Sequence, residues 1–301
     1  MTSEVVLVTG AGSGMGQETA LLLASAGYRV YGSVLNSREA GALSAAARQR
    51  NVPLEVMECD VTREEAPRAA VGAVLAAQGR VDALVQFVGI GLRGFFEDLD
   101  MAEIERVFQV NVFGLMRMTQ AVLPHMRQAR RGRIVLTSSI GGRMGSMSIS
   151  GYAASKFALE GWAECLRQEV APFGIRVSLL EPGLLRTPHF GIHRNRARRA
   201  VDAASPYYPW FCQHEKIVDN LLSRSTFTAT DVARKVQRIL REPRPALRYV
   251  VGRRARLILA LRRHTPGEWF ESVYWRILRR MVTKPRVPAR GLSGGEAETE
   301  I

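Results

Sequence analysis

Short apolar runs alternate along the chain with longer stretches whose apolar residues recur every three or four positions. The short runs predict strands at residues 5–8, 29–34, 54–58, 83–88, 133–138, 176–181 and 248–251. The longer patterns predict helices at 15–26, 38–50, 64–78, 101–127, 152–172 and 231–241. Strands separated by helical segments imply a parallel sheet with helices on both faces. The runs are rich in Val, Ile and Leu without clean polar alternation, as befits strands covered on both sides. A single doubly wound α/β domain is expected over roughly residues 1–252. Its long connection at 184–228 would form a substrate lid. Residues 253–301 would be a basic C-terminal extension, with a disordered tail at 291–301.

The 301 residues are 47% hydrophobic and 23% charged, the composition of a soluble globular protein with a full core. The net charge of +14 is unevenly placed. Residues 1–189 hold 19 Lys/Arg against 18 Asp/Glu, whereas residues 190–290 hold 23 against 7. Such a patch is a solvated face of an arginine-rich chain, or a surface for nucleic acid or anionic membrane. No recognition motif accompanies the charge, so nucleic acid is not expected. The extension mixes basic residues with Leu, Trp and Tyr, which suits peripheral contact with anionic lipid. It suits a cap over a pocket or a subunit interface equally well. Three widely spaced cysteines suggest neither a disulfide framework nor a zinc site, and no metal is expected. A cytoplasmic, membrane-associated or free protein is the expectation, since no signal peptide or spanning segment is apparent.

Thr9-Gly10-Ala11-Gly12-Ser13-Gly14-Met15-Gly16 follows the first strand and opens the first helix. That context is required of a dinucleotide site, because glycines admit a pyrophosphate to the backbone and the helix N-terminus offers free N–H groups. The fold implied is a Rossmann-type doubly wound sheet. After the second strand no acidic residue appears until Glu39, while Ser33, Asn36 and Arg38 could take a phosphate. NADP is therefore favoured over NAD. Asp60 follows the third strand, where it could reach an adenine ring or simply cap a helix.

Tyr152 and Lys156 are four apart, which places both on one helix face. A phenol beside an ammonium is an acid/base pair, and the positive charge would lower the phenol's pKa. Only four lysines occur beside 38 arginines, so a lysine here stands out.

The motifs Thr9-Gly10-x-x-x-Gly14-x-Gly16, Asp60-Val61, Asn111-Val112-x-Gly114, Ser138-Ser139, Tyr152-x-x-x-Lys156 and Pro182-Gly183-x-x-x-Thr187 together resemble the short-chain dehydrogenases/reductases. The stretch from Tyr152 to Gly161 is similar to the branch that acts on steroids, retinoids and other hydrophobic alcohols. The resemblance implies roles. Tyr152 would be the general acid/base, and Lys156 would lower its pKa and hold the nicotinamide ribose. Ser139 would bind the substrate oxygen. Asn111 would anchor a water linking Lys156 to solvent. Thr187 would hold the carboxamide. One departure stands out: where the family carries Asn-Asn-Ala-Gly, this chain reads Gln86-Phe87-Val88-Gly89. Gly89 still permits close approach to a cofactor, but Phe87 cannot make an amide's hydrogen bonds.

The lid carries Phe190, Tyr207, Tyr208, Trp210 and Phe211, and Ile90, Leu92, Phe95, Met144 and Met147 come from neighbouring loops. They imply a hydrophobic ketone or secondary alcohol as substrate, or else a lid packed onto the body by its aromatics. A homo-oligomer is expected. The rival reading is a non-catalytic dinucleotide-binding sensor or scaffold, favoured only by the altered Gln86-Phe87-Val88 run.

Overall fold

Alternation within each strand sorts its side chains to two faces. In β1 (Val5–Thr9), Val5 and Leu7 enter one apolar cluster, while Val6 and Val8 enter another on the opposite side. β4 (Ala83–Gln86) and β5 (Gly132–Thr137) divide in the same way. Each fully buried Val or Leu contributes about 1.5–3 kcal/mol. With β2 (Arg29–Val34), β3 (Leu54–Glu58), β6 (Ile175–Pro182) and β7 (Arg248–Val251) they form one parallel sheet, in the order β3-β2-β1-β4-β5-β6-β7. This is a computed structural model, and it describes residues 3–185 and 195–283.

Helices α1 (Gly14–Ser25), α2 (Ser37–Gln49) and α8 (Ala229–Arg241) cover one face through residues such as Leu23, Leu43 and Val236. Helices α3 (Glu65–Gln78), α5 (Leu115–Gln128) and α6 (Ser150–Val170) cover the other through Val74, Met118 and Leu159. The strand order reverses at β1, which lies between β2 and β4. That reversal opens a crevice at the C-terminal strand ends, the place where open α/β sheets bind ligands.

Three differences from the predicted elements shape the site. The strand expected at 83–88 ends at Gln86, and the chain then leaves the sheet beside the glycine turn. The long helix expected at 101–127 is α4 (Met101–Phe108) joined to α5 by a π-helical turn, Gln109–Gly114, which contains Asn111. Such wide turns recur at functional sites. The lid contains a helix that periodicity did not reveal, α7 (Tyr208–Ser223), with Pro209 in its first turn. Two further helices, α9 (Arg253–His264) and α10 (Gly267–Thr283), turn back onto the body. α9 packs by β7, and α10 lies along α7. Thr187, Phe190, the rest of residues 186–194 and the tail at 291–301 lie outside the described residues.

Candidate active site

A cleft of about 840 Å³ lies at the reversal point. Gly10, Gly14 and Gly16 form its floor. Gly10 adopts φ +69°, and a Cβ there would stand 2.7 Å from the backbone nitrogen of Val88. A Cβ on Gly16 would meet the Gly10 carbonyl at 2.0 Å. Gly10 therefore requires glycine for two independent reasons, conformation and space, and Gly16 requires it for space. Ser33, Thr137 and Ser138 border the cleft, and their buried hydroxyls have no hydrogen-bond partner among the described residues. Buried hydroxyls demand partners. Together with the open helix N-terminus they fit the phosphates and riboses of a dinucleotide. Gly89, Asp60, Pro182 and Gly183 complete the wall. Asp60 is half committed locally, because its Oδ1 accepts from the Thr62 backbone N–H and hydroxyl.

Arg38 does not reach this cleft. It is exposed on α2, and Asn36 spends its side chain capping that helix by accepting from the Glu39 N–H. The group that enters instead is Glu39. Its carboxylate accepts from the Leu35 N–H at 3.0 Å and lies against Gly12, where a Cβ would touch it at 2.4 Å.

At the far end of the cleft, α6 delivers Tyr152 and Lys156, and the end of β5 delivers Ser138 and Ser139. Ser139 accepts from the Gly141 N–H at 3.0 Å and faces the same cleft as the Tyr152 phenol. Lys156 Nζ lies 5.8 Å from the Tyr152 ring centroid and donates to the Thr137 carbonyl at 2.9 Å. Burial pushes the phenol's pKa up, opposed by the Ser139 hydroxyl. Burial also pulls Lys156 down to about 8, opposed by the Glu160 carboxylate. The expected lowering of the phenol by the ammonium is thus absent in this arrangement. Desolvation sets the direction of the phenol's shift, and the ammonium donates to the Thr137 carbonyl.

Asn111 clamps the Ile90 backbone, accepting from its N–H at 2.8 Å and donating to its carbonyl at 2.9 Å. It also donates to Ser155 Oγ. Gly89 separates it from Lys156: a Cβ there would lie 3.3 Å from Asn111 Oδ1 and 3.6 Å from Lys156 Nζ. The altered run after β4 is accommodated. Gln86 is buried and donates to the Leu115 carbonyl at 3.1 Å and to Thr119 Oγ1 at 2.9 Å, so it ties the sheet to α5. Phe87 supplies apolar contact to the cluster beneath α1 and α2 and borders the cleft.

A second cavity of about 390 Å³ adjoins the first, and Ser139, Tyr152 and Gly183 border both. Leu92, Met144 and Met147 line it as expected. The lid aromatics among the described residues do not. Phe211 is fully buried among Leu92, Leu99 and Val107, and Tyr207 stacks on Phe95 at 5.1 Å beside Trp210. Those rings fasten the lid to the body. The cavity wall comes instead from Ile217, Val218 and Leu221 of α7 and from Ile258, Ile277 and Leu278 of α9 and α10.

Polar residues interrupt this wall, among them Arg93, Ser146, Asn195 and His214. His214 borders the cavity, is buried, and is drawn down to about 4 by burial and by Arg93. Its Nδ1 lies 2.8 Å from Ser148 Oγ and 3.3 Å from the Arg93 guanidinium. A guanidinium can only donate, so Nδ1 carries the lone pair and the proton sits on Nε2. Arg93 is fixed by Glu215 at 2.6 Å, and Glu215 also binds Arg196 at 2.8 Å. The sequence held no signal for this network, because its members are spread from residue 93 to residue 215.

Comparison with known proteins agrees with this geometry. The family model described as short chain dehydrogenase matches residues 4–197, and the chain belongs to that family, whose members are oxidoreductases. Estradiol 17-beta-dehydrogenase 1 of Rattus norvegicus is 36% identical over 274 residues, covering 89% of this chain and 79% of that protein. A 3-ketodihydrosphingosine reductase of Bacteroides thetaiotaomicron is 40% identical over 188 residues, covering 62% of this chain and 66% of the reductase. The crystal structure of a short-chain dehydrogenase from Streptomyces avermitilis superposes with a TM-score of 0.76 at 33% identity, covering 92% of this chain and 98% of that one.

Proposed function

We propose that the protein moves a hydride between a nicotinamide dinucleotide and an apolar ketone or secondary alcohol that carries a second hydrogen-bond acceptor. The observation that carries this reading is the position of Ser139 and Tyr152 on the border between a dinucleotide-sized cleft and an apolar cavity. The dinucleotide supplies or accepts the hydride. Ser139 and Tyr152 take hold of the substrate oxygen, and the phenol gives that oxygen a proton as the carbon is reduced. A phenol raised by burial remains protonated at neutral pH, which suits reduction. The cavity accepts the apolar body, and Nε2–H of His214 offers one donor to a second oxygen. Relatives named for estradiol and for 3-ketodihydrosphingosine support a lipid-like class.

The same site supports NAD(H) rather than the NADP(H) expected from Ser33, Asn36 and Arg38. A carboxylate at Glu39 accepts from ribose hydroxyls and repels a phosphate. NADH and NADPH titrations test this: NADH binds at least tenfold more tightly, and Glu39→Gln narrows the gap. Preference for NADPH in the wild type rejects the assignment. The substrate class is tested with a steroid ketone, a long-chain 3-keto base and a small polar ketone. Turnover is expected on the apolar members. Activity confined to the polar one contradicts the proposal, and binding of cofactor with no turnover on any revives the sensor reading.

A further inference from the structure

The apolar cavity is not closed by core residues alone. Leu221, Ile277 and Met281 border it and are also 37%, 51% and 41% exposed. They form an apolar rim at the surface. Two of them belong to α10, which also displays Trp269 and Trp275 at 60% and 53% exposure. On α9, Leu257 and Leu261 are one turn apart and exposed. Isolated exposed apolar residues are ordinary, but two tryptophans and a leucine pair on adjacent helices mark an interaction surface.

The charge decides its partner. Residues 253–283 hold eight arginines and two glutamates, and one of those glutamates, Glu271, pairs with Arg262. The Arg279 guanidinium lies 4.8 Å from the Trp275 ring centroid, so this charge and this ring share one side of α10. Tryptophan with arginine on an amphipathic helix is the composition of the lipid headgroup layer. A second copy of the chain is a poor fit, because this face would repel itself and residues 1–189 are nearly neutral. No helix among the described residues is long and apolar enough to cross a bilayer, so the contact is peripheral.

We infer that α10 and the outer side of α9 lie in the headgroup layer of an anionic bilayer, with the rim of the cavity opening onto it. The opening rests on the proposed apolar substrate; the docking does not. An apolar ketone dissolved in the bilayer then reaches Tyr152 past Ile277 and Met281 without crossing water.

Flotation of the full chain with phosphatidylcholine vesicles, alone or with phosphatidylglycerol, tests the docking. The wild type floats with the anionic vesicles and is released by salt. Trp269→Ser/Trp275→Ser weakens partitioning, and Arg276→Gln/Arg279→Gln/Arg280→Gln weakens it by roughly a hundredfold, from the contribution of each basic residue near such a surface. Turnover of a water-soluble ketone, measured on the same preparations, is unchanged in both variants. Failure of the wild type to float, equal flotation of all three forms, or loss of a dimer in the tryptophan variant overturns the inference. Flotation without turnover would instead count against the proposed reaction.

Discussion

Lys156→Met is expected to make the cofactor-free protein more stable while removing its activity. The ammonium is buried, with 3% of the residue exposed, and burial lowers its pKa from 10.5 to about 8. At pH 7 the group is protonated in both folded and unfolded chains, so the folded state bears the whole cost of keeping the charge inside. That difference in pKa corresponds to about 3 kcal/mol. The bond from Nζ to the Thr137 carbonyl returns about 1 kcal/mol. Methionine fills similar volume without the charge, so a net gain of about 2 kcal/mol is expected at pH 7. The sign reverses at high pH. Between 8 and 10.5 the unfolded chain binds more protons at this position than the folded one, so the wild type gains stability as pH rises. Urea unfolding of both proteins at pH 7 and near pH 10 measures the difference directly. The advantage of the variant should shrink across that window and give way to a deficit of up to about 1 kcal/mol, the Thr137 bond that remains. A variant less stable at pH 7, or a difference that does not move with pH, refutes the argument that desolvation dominates at Lys156.

Three other outcomes follow from single contacts. Gly10→Ala places a methyl 2.7 Å from the Val88 nitrogen at φ +69°, so dinucleotide affinity should fall about a hundredfold; retention within a few-fold contradicts the close approach. His214→Leu removes the only donor assigned to the substrate body and should raise KM for an apolar ketone about tenfold with kcat nearly unchanged, the loss of one hydrogen bond. Cys59 is buried and pushed up to about 11, so iodoacetamide at neutral pH should modify exposed Cys165 and leave Cys59 intact in the native protein, as read by peptide mass spectrometry.

Strands and helices were legible because period two and period three to four are local properties of the chain. Each predicted strand is present, with ends shifted by a residue or two. The glycine turn and the Ser139, Tyr152 and Lys156 set were legible because close backbone approach and helix spacing leave fixed marks. Three features were not. The π turn at Asn111 adds no residue pattern of its own to the helix around it. Glu39 was passed over in favour of Arg38, since only the capped start of α2 turns one inward and the other out. The aromatic residues of the lid were readable as pocket lining or as lid packing, and only the stacking of Tyr207 on Phe95 and the burial of Phe211 decide for packing. The mixture of basic and apolar residues in the extension was readable as amphipathic, but which surface Tyr274, Ile277, Leu278 and Met281 met depended on the docking of α10 beside α7.

The central claim is that Tyr152 transfers the proton for a hydride transfer whose substrate occupies the adjoining cavity. Its most direct test is the turnover of an apolar ketone by Tyr152→Phe, followed by absorbance of the reduced nicotinamide, with cofactor affinity and thermal unfolding measured on the same protein. The account predicts a fall in turnover of about a thousandfold, with cofactor affinity and stability kept. Turnover within tenfold of the wild type would contradict it.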